Sequence, residues 1–98
     1  MPRYRRSRVE VIRDILREAQ KGANKTRIMY RCNLNFVCFN RYFEELIKKG
    51  LILEVESNPN GVKIYKTTEK GLRLLEILQL AENLISFNSD QTLTQKFI

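Results

Sequence analysis

Histidine is absent from this sequence. The side chain most often used as a general base is therefore missing. Glycine is scarce and scattered, at Gly22, Gly50, Gly61 and Gly71. Neither a phosphate-binding glycine loop nor a G-x-S-x-G nucleophile elbow can be assembled from such positions. The carboxylates stand mostly among lysines and arginines on faces that read as solvated. An enzyme is not expected. Cysteine is nearly absent too: Cys32 and Cys38 are spaced C-x5-C, without the C-x-x-C pairs or histidine partners of a zinc site. No metal, other cofactor or small-molecule ligand is expected, and no disulfide in a reducing cytoplasm. Cys32 reads as a small buried apolar residue and Cys38 as a more exposed one. No apolar run is long enough to cross a membrane. The basic start MPRYRRSRV has no apolar segment of signal-peptide type behind it. The expected location is the cytoplasm. Internal repeats and low-complexity segments are lacking.

What is present is positive charge, unevenly placed. The chain has 18 basic and 11 acidic residues, a net charge of +7. Residues 1–31 hold ten bases against Glu10, Asp14 and Glu18, whereas the remaining residues balance at eight against eight. The whole excess sits in the first third. A one-sided basic field points to a polyanionic partner, most often nucleic acid.

Residues 1–6 read as a basic arm. Ser7 to Glu10 fits a capping box, and the first helix is expected from Arg8 to Lys21, stopped by Gly22. Its apolar face is Val9, Ile12, Leu16 and Ala19, widened by Ile15. A second helix, capped by Asn24, covers Lys25 to Cys32, with Ile28 and Met29 turned inward. After the break Asn33-Leu34-Asn35, Asn35 caps a third helix that ends at Lys48-Lys49-Gly50. LILEVES and VKIYKT then read as strands joined at the turn Asn58 to Gly61. Thr68 caps a fourth helix running from Glu69 to near Phe87. The fold is predicted to be mainly α (α+β), in the order α-α-α-β-β-α. Two helices joined by a three-residue turn and followed by a hairpin make a winged helix-turn-helix. The division is an arm at 1–6, a DNA-binding domain at 7–67, and a dimerisation helix and tail at 68–98.

The third helix has two faces. Phe36, Phe39, Phe43, Leu46 and Ile47 form the expected inner face, and Val37, Cys38, Arg41, Glu45 and Lys48 the outer one. A recognition helix needs that arrangement, because one side packs and the other enters the major groove. Candidate base contacts are Asn35, Val37, Cys38, Asn40 and Arg41. A guanidinium spans guanine O6 and N7, which puts Arg41 first. Glu44 and Glu45 are expected either to lie deeper along the helix, away from the DNA backbone, or to pair with Lys48 and Lys49. Candidate phosphate contacts are Arg3, Arg5, Arg6 and Arg8 in and beside the arm, Lys25, Thr26, Arg27, Tyr30 and Arg31 on the second helix, and Lys63 in the wing.

The fourth helix is too apolar for one small domain to cover. Leu72 and Leu75 are expected to close the core. Leu74, Ile77, Leu78, Ala81, Leu84 and Ile85 are expected to form a seam with a second copy of the chain.

SRVEVIRDIL, KTRIMYRCNLNF, RYFEELIKKGLI and YKTTEKGLRLLEIL together resemble the archaeal winged-helix regulators and the small archaeal 10a-type DNA-binding proteins. The resemblance covers about residues 5–85. It implies duplex DNA binding, either sequence-tolerant or at operators, and dimerisation through the last helix as an antiparallel coiled coil. By position it places Lys25, Thr26 and Arg27 at the start of the second helix and Asn35 to Arg41 in the recognition helix. Asn35 stands where serine is more usual. The last helix looks short, because NSDQT interrupts it, which favours a transcription regulator over an abundant chromatin protein. The other readings kept open are an architectural chromatin protein and a winged helix that binds protein.

Overall fold

Ser7 and Glu10 start the first helix reciprocally. The Ser7 hydroxyl accepts from the Glu10 N–H at 3.1 Å, and Glu10 Oε1 accepts from the Ser7 N–H at 2.8 Å. From this box α1 runs Arg8–Glu18, shorter than expected because residues 19–21 are a turn. The computed structural model describes residues 6–57 and 59–85; Arg3 and Arg5 of the arm, Asn58 of the wing and everything from residue 86, Phe87 included, lie outside the described residues.

Helix α2 (Lys25–Arg31) is capped by Asn24, whose Oδ1 accepts from the Arg27 N–H at 2.8 Å. Its end is a Schellman turn: the Leu34 N–H reaches the Met29 carbonyl at 3.3 Å and the Asn33 N–H the Tyr30 carbonyl at 3.0 Å. That motif needs a left-handed residue, and Asn33 supplies it with φ 58°. Asn35 then caps α3 (Phe36–Lys48) through the Cys38 N–H at 2.8 Å. Two side-chain amides three residues ahead of backbone donors thus set both helix starts on either side of a tight turn.

Strands β1 (Ile52–Ser57) and β2 (Lys63–Thr67) pair antiparallel, Ile52 opposite Thr67, with a bulge between Glu54 and Glu56. Ala23, just before α2, adds a bridge to Tyr65 on β2. Thr67 joins the hairpin to α1: its N–H donates to the Ala19 carbonyl at 3.0 Å and its buried hydroxyl to the Leu16 carbonyl at 2.7 Å. These bonds satisfy the last carbonyls of α1. Helix α4 (Glu69–Ile85) starts at Thr68, whose Oγ1 accepts from the Gly71 N–H at 3.0 Å.

The core is built from Ile15, Leu16, Ile28, Phe39, Phe43 and Ile52, with Val11, Leu46 and Leu75 around them. Phe39 and Phe43 stack at 4.9 Å, and Tyr65 meets Phe43 edge-on at 5.0 Å. The expected helix faces are corrected in part. On α1 both α2 and α4 pack, so the buried arc reaches Val11, while Val9 in the first turn stays exposed. On α3, Phe36 and Ile47 are exposed rather than internal, because the first and last turns overhang the core. On α4, Leu75 closes the core but Leu72 does not. A Cβ at Gly71 would lie 2.3 Å from the Leu51 carbonyl oxygen, so that side of α4 closely approaches the backbone just before β1. Positions 71, 74, 75, 78 and 82 therefore face the domain, and residue 72 turns away.

Candidate nucleic-acid interface

The Asn24 cap and the Ala23–Tyr65 bridge place the start of α2 beside the wing, and Lys25, Thr26 and Met29 of α2 adjoin Phe36 and Phe39 of α3. A cleft of about 660 Å³ lies between the start of α2 and β2, lined by Asn24, Lys25, Thr26, Arg27, Tyr30, Gly61, Val62, Lys63 and Tyr65. It brings together five of the residues expected on phosphates: Lys25, Thr26, Arg27, Tyr30 and Lys63. Tyr30 is 81% exposed, so its ring and hydroxyl stand clear of the core. Lys25 Nζ sits 5.5 Å from the Phe43 ring centre, a cation–π contact that holds the ammonium at the cleft wall. The Ala23–Tyr65 bridge is what keeps the wing beside α2.

Arg31 does not share that cleft. It lines a second concavity, about 210 Å³, with Arg17, Glu18, Lys21 and Arg27. Arg27 thus stands between two basic surfaces. Arg17 and Lys21 were not among the residues read from sequence as contacts. They belong to α1 and its following turn, and only the tertiary fold sets them beside α2. Their signal was the charge count of the first third, which cannot assign a face.

On α3, Val37 is 68% exposed and Arg41 is exposed, whereas Cys38 is half-buried. Phe36, 63% exposed, joins Val37 at the tip of the helix and supplies an apolar contact that the periodicity had placed inside. Asn35 spends its side-chain oxygen on the cap. Asn40 is half-buried; its Nδ2 donates to Glu44 Oε2 at 3.2 Å, and its Oδ1 is buried without a hydrogen-bond partner. Arg41 is therefore the fully outward polar group of this half of α3. Glu45 pairs with Lys49 at 3.1 Å, and that hydrogen bond and charge lower its pKa from the ordinary value. Glu44 is held by Asn40 rather than by a lysine.

Arg8, in the first turn of α1, and Arg6, just before it, are placed differently from each other. Arg8 lies over the Tyr42 ring at 5.6 Å. Arg6 points into the domain, onto Asp14 and the carbonyls of Cys32 and Asn33.

A match to the winged helix-turn-helix family model extends over residues 5–86. The chain belongs to the winged helix-turn-helix family. This winged helix is 38% identical over 77 residues to the uncharacterized protein MJ0287 of Methanocaldococcus jannaschii, covering 78% of this chain and 73% of the relative. Its fold is similar to that of Sso10a-2, a DNA-binding protein from Sulfolobus solfataricus, at 29% identity and TM-score 0.67, over 95% of this chain and 98% of that one. It also resembles a mutant of MarR from E. coli complexed with operator DNA, at 20% identity and TM-score 0.58, over 90% of this chain and 60% of that one. The latter likeness concerns the fold alone.

Among the described residues of this winged helix, no group of three or more His, Cys, Asp or Glu is placed to hold a metal ion. None of its described helices is long and apolar enough to cross a membrane. Burial, together with the carboxylates of Asp14 and Glu18, pushes the Cys32 thiol up to about 12, against the opposing charge of Arg6.

Of the residues expected in a seam between copies, Leu74 packs against this domain's own core and Leu78 is half-buried. Ile77, Ala81, Leu84 and Ile85 are exposed, and Leu80 joins them.

Proposed function

We propose that this chain is a non-enzymatic, sequence-specific duplex-DNA-binding regulator of transcription. It acts as a homodimer with α3 in the major groove. The observation that carries the reading is the outward face of α3, with Arg41 free to reach a base edge, flanked by the basic cleft of Lys25, Thr26, Arg27, Tyr30 and Lys63. Lys25, Arg27 and Lys63 take phosphates and position the domain, while Arg41, Val37 and Phe36 read base edges and thymine methyls. Arg31 extends the phosphate track with Arg17 and Lys21. Arg8, over the Tyr42 ring, adds a further positive charge, and Arg3 and Arg5 are proposed as phosphate contacts from their charge alone. The similarity to Sso10a-2, a DNA-binding protein, supports the partner. The exposed stripe Ile77, Leu80, Leu84 and Ile85 supports a second copy as the cover for α4. Location at the nucleoid follows from the same partner.

Fluorescence anisotropy with a duplex selected by the protein from a random pool, against a mixed-sequence duplex, tests this at several salt concentrations. The expected result is a steep salt slope together with clear preference for the selected site. Arg41→Ala should remove about 1–3 kcal/mol of discrimination at one base position. Preference that survives this substitution in a folded variant removes Arg41 as the reader.

One observation favours a second reading. Asn40 is committed to Glu44 and Asn35 to its cap, which leaves few polar groups to read bases. An architectural protein that binds duplexes with little sequence preference has the same phosphate surface. A steep slope with equal affinity for both duplexes would select it.

A further inference from the structure

Arg6 distributes its guanidinium over three acceptors. Nη1 donates to Asp14 Oδ2 at 2.7 Å, and Nη2 donates to the Cys32 carbonyl at 2.6 Å and the Asn33 carbonyl at 3.3 Å. Those carbonyls belong to the C-cap of α2 and to the left-handed residue of the turn into α3. A cation at a helix C-terminus is favoured by the helix dipole, and here it also satisfies carbonyls that the helix leaves open.

Asp14 is shared. Its Oδ1 accepts from Arg13 Nε at 2.9 Å and Arg13 Nη2 at 2.7 Å. Arg13 Nη1 donates in turn to Glu82 on α4. Burial works against the Arg13 charge, but the hydrogen bond to Asp14 and the carboxylates of Asp14, Glu82 and Glu10 outweigh it and raise its pKa. The four side chains are between 17% and 32% exposed, which removes them from the class of fully solvated ion pairs. Each member is oriented by the next, so the chain of bonds runs from the helix-turn-helix turn through α1 to α4.

We propose that Arg6 is a positioning residue of the helix-turn-helix, and that Arg6, Asp14, Arg13 and Glu82 tie the α2–α3 turn to α4 and so set how α3 is presented. The functional consequence rests on the DNA-binding reading above. Arg6 is then not a phosphate contact, although it ends a basic arm. A lysine cannot replace it, because an ammonium lacks the planar fork that reaches a carboxylate and two carbonyls at once.

Charge and position make opposite predictions. Asp14→Asn and Glu82→Gln each add one unit of positive charge, so simple electrostatics strengthens binding to DNA. The positioning role weakens it: both variants, and Arg6→Lys, should bind a mixed-sequence duplex about fivefold less tightly than the wild type. The salt slope should stay unchanged in Arg6→Lys. Its Asn33 and Leu34 amides should exchange with solvent about tenfold faster, since local opening of the turn becomes easier. Thermal melts place all measurements well below the unfolding transition. Tighter binding by Asp14→Asn and Glu82→Gln overturns the proposal, as does wild-type exchange at both amides in Arg6→Lys. If the wild type fails to bind duplex DNA at low salt, the DNA-binding reading falls. The exchange measurement then decides the role of Arg6 by itself, faster exchange upholding it and unchanged exchange overturning it.

Discussion

Ala23 and Tyr65 exchange both backbone hydrogen bonds, the Ala23 N–H to the Tyr65 carbonyl at 3.0 Å and the Tyr65 N–H to the Ala23 carbonyl at 2.8 Å. This pair joins the residue before α2 to the middle of the wing. The Tyr65 ring lies edge-on to Phe43 and wedges the wing against α3. Tyr65→Ala should therefore lower stability by about 3 kcal/mol, read from the urea midpoint at constant m. It should also loosen the cleft. A loss below about 1 kcal/mol would show that the backbone bridge alone holds the wing.

Gly71 has no room for a side chain, since a Cβ would meet the Leu51 carbonyl oxygen at 2.3 Å and Thr67 Cγ2 at 2.6 Å. The nearer obstruction is backbone, so it cannot rotate away. Gly71→Ala should cost about 2–3 kcal/mol despite the better helix propensity of alanine. Gly61 is the control: its φ of +82° strains a side chain, but nothing lies within 4 Å. Gly61→Ala should cost only about 1 kcal/mol.

Arg17 and Lys21 line the concavity shared with Arg27 and Arg31. Replacing both by alanine should weaken binding equally for all duplexes. The slope of log K against log salt should become shallower by about 2. A changed sequence preference instead would mean that they act on the recognition helix.

Leu84 is 71% exposed on the outer stripe of α4. Leu84→Glu should give monomers in sedimentation without a large loss of domain stability, because the domain core does not use this side chain. Dimers that persist would place the contact between copies elsewhere.

Cys32 is buried, whereas Cys38 is half-exposed. A thiol reagent at pH 8 should label Cys38 in the native protein and Cys32 only on unfolding. Burial favours the neutral Cys32 thiol, so its folded pKa is raised from the ordinary 9.0 to about 12. The stability linked to that shift is complete below about pH 9 and is lost as pH rises toward 12. Cys32→Ala should make stability less sensitive to alkali over that window, measured by urea unfolding at a series of pH values.

Much of this architecture is legible in local chemistry. Ser7 with Glu10, Asn24, Asn35 and Thr68 each cap the helix that follows, since a short polar side chain needs only its neighbours' backbone donors to act. Gly50, with φ of +75°, marks the end of α3 for the same local reason. The order of elements follows from these signals and from the change of hydrophobic period after Gly50.

Which apolar residues lie inside was legible only in part: Leu16, Phe39, Phe43 and Leu46 are buried as expected, whereas Val11 is buried without having been expected. Phe36 and Phe39 are chemically alike, yet Phe36 is exposed and Phe39 is buried, because helix ends project beyond the elements packed against them. Arg6 and Arg31 likewise look alike in the sequence. One turns inward to Asp14 and the turn carbonyls, and the other lines an open concavity.

Capping, turn chemistry and charge distribution were thus determined by the sequence itself, since each acts over three or four neighbouring residues. The tertiary structure alone decided the inward face of α4, the grouping of Lys63 with Lys25 and Arg27, and the bond path from Arg6 to Glu82. Those depend on approaches between segments tens of residues apart, such as Gly71 against Leu51 and Arg13 against Glu82. No local pattern encodes such approaches, because packing of the whole core sets them.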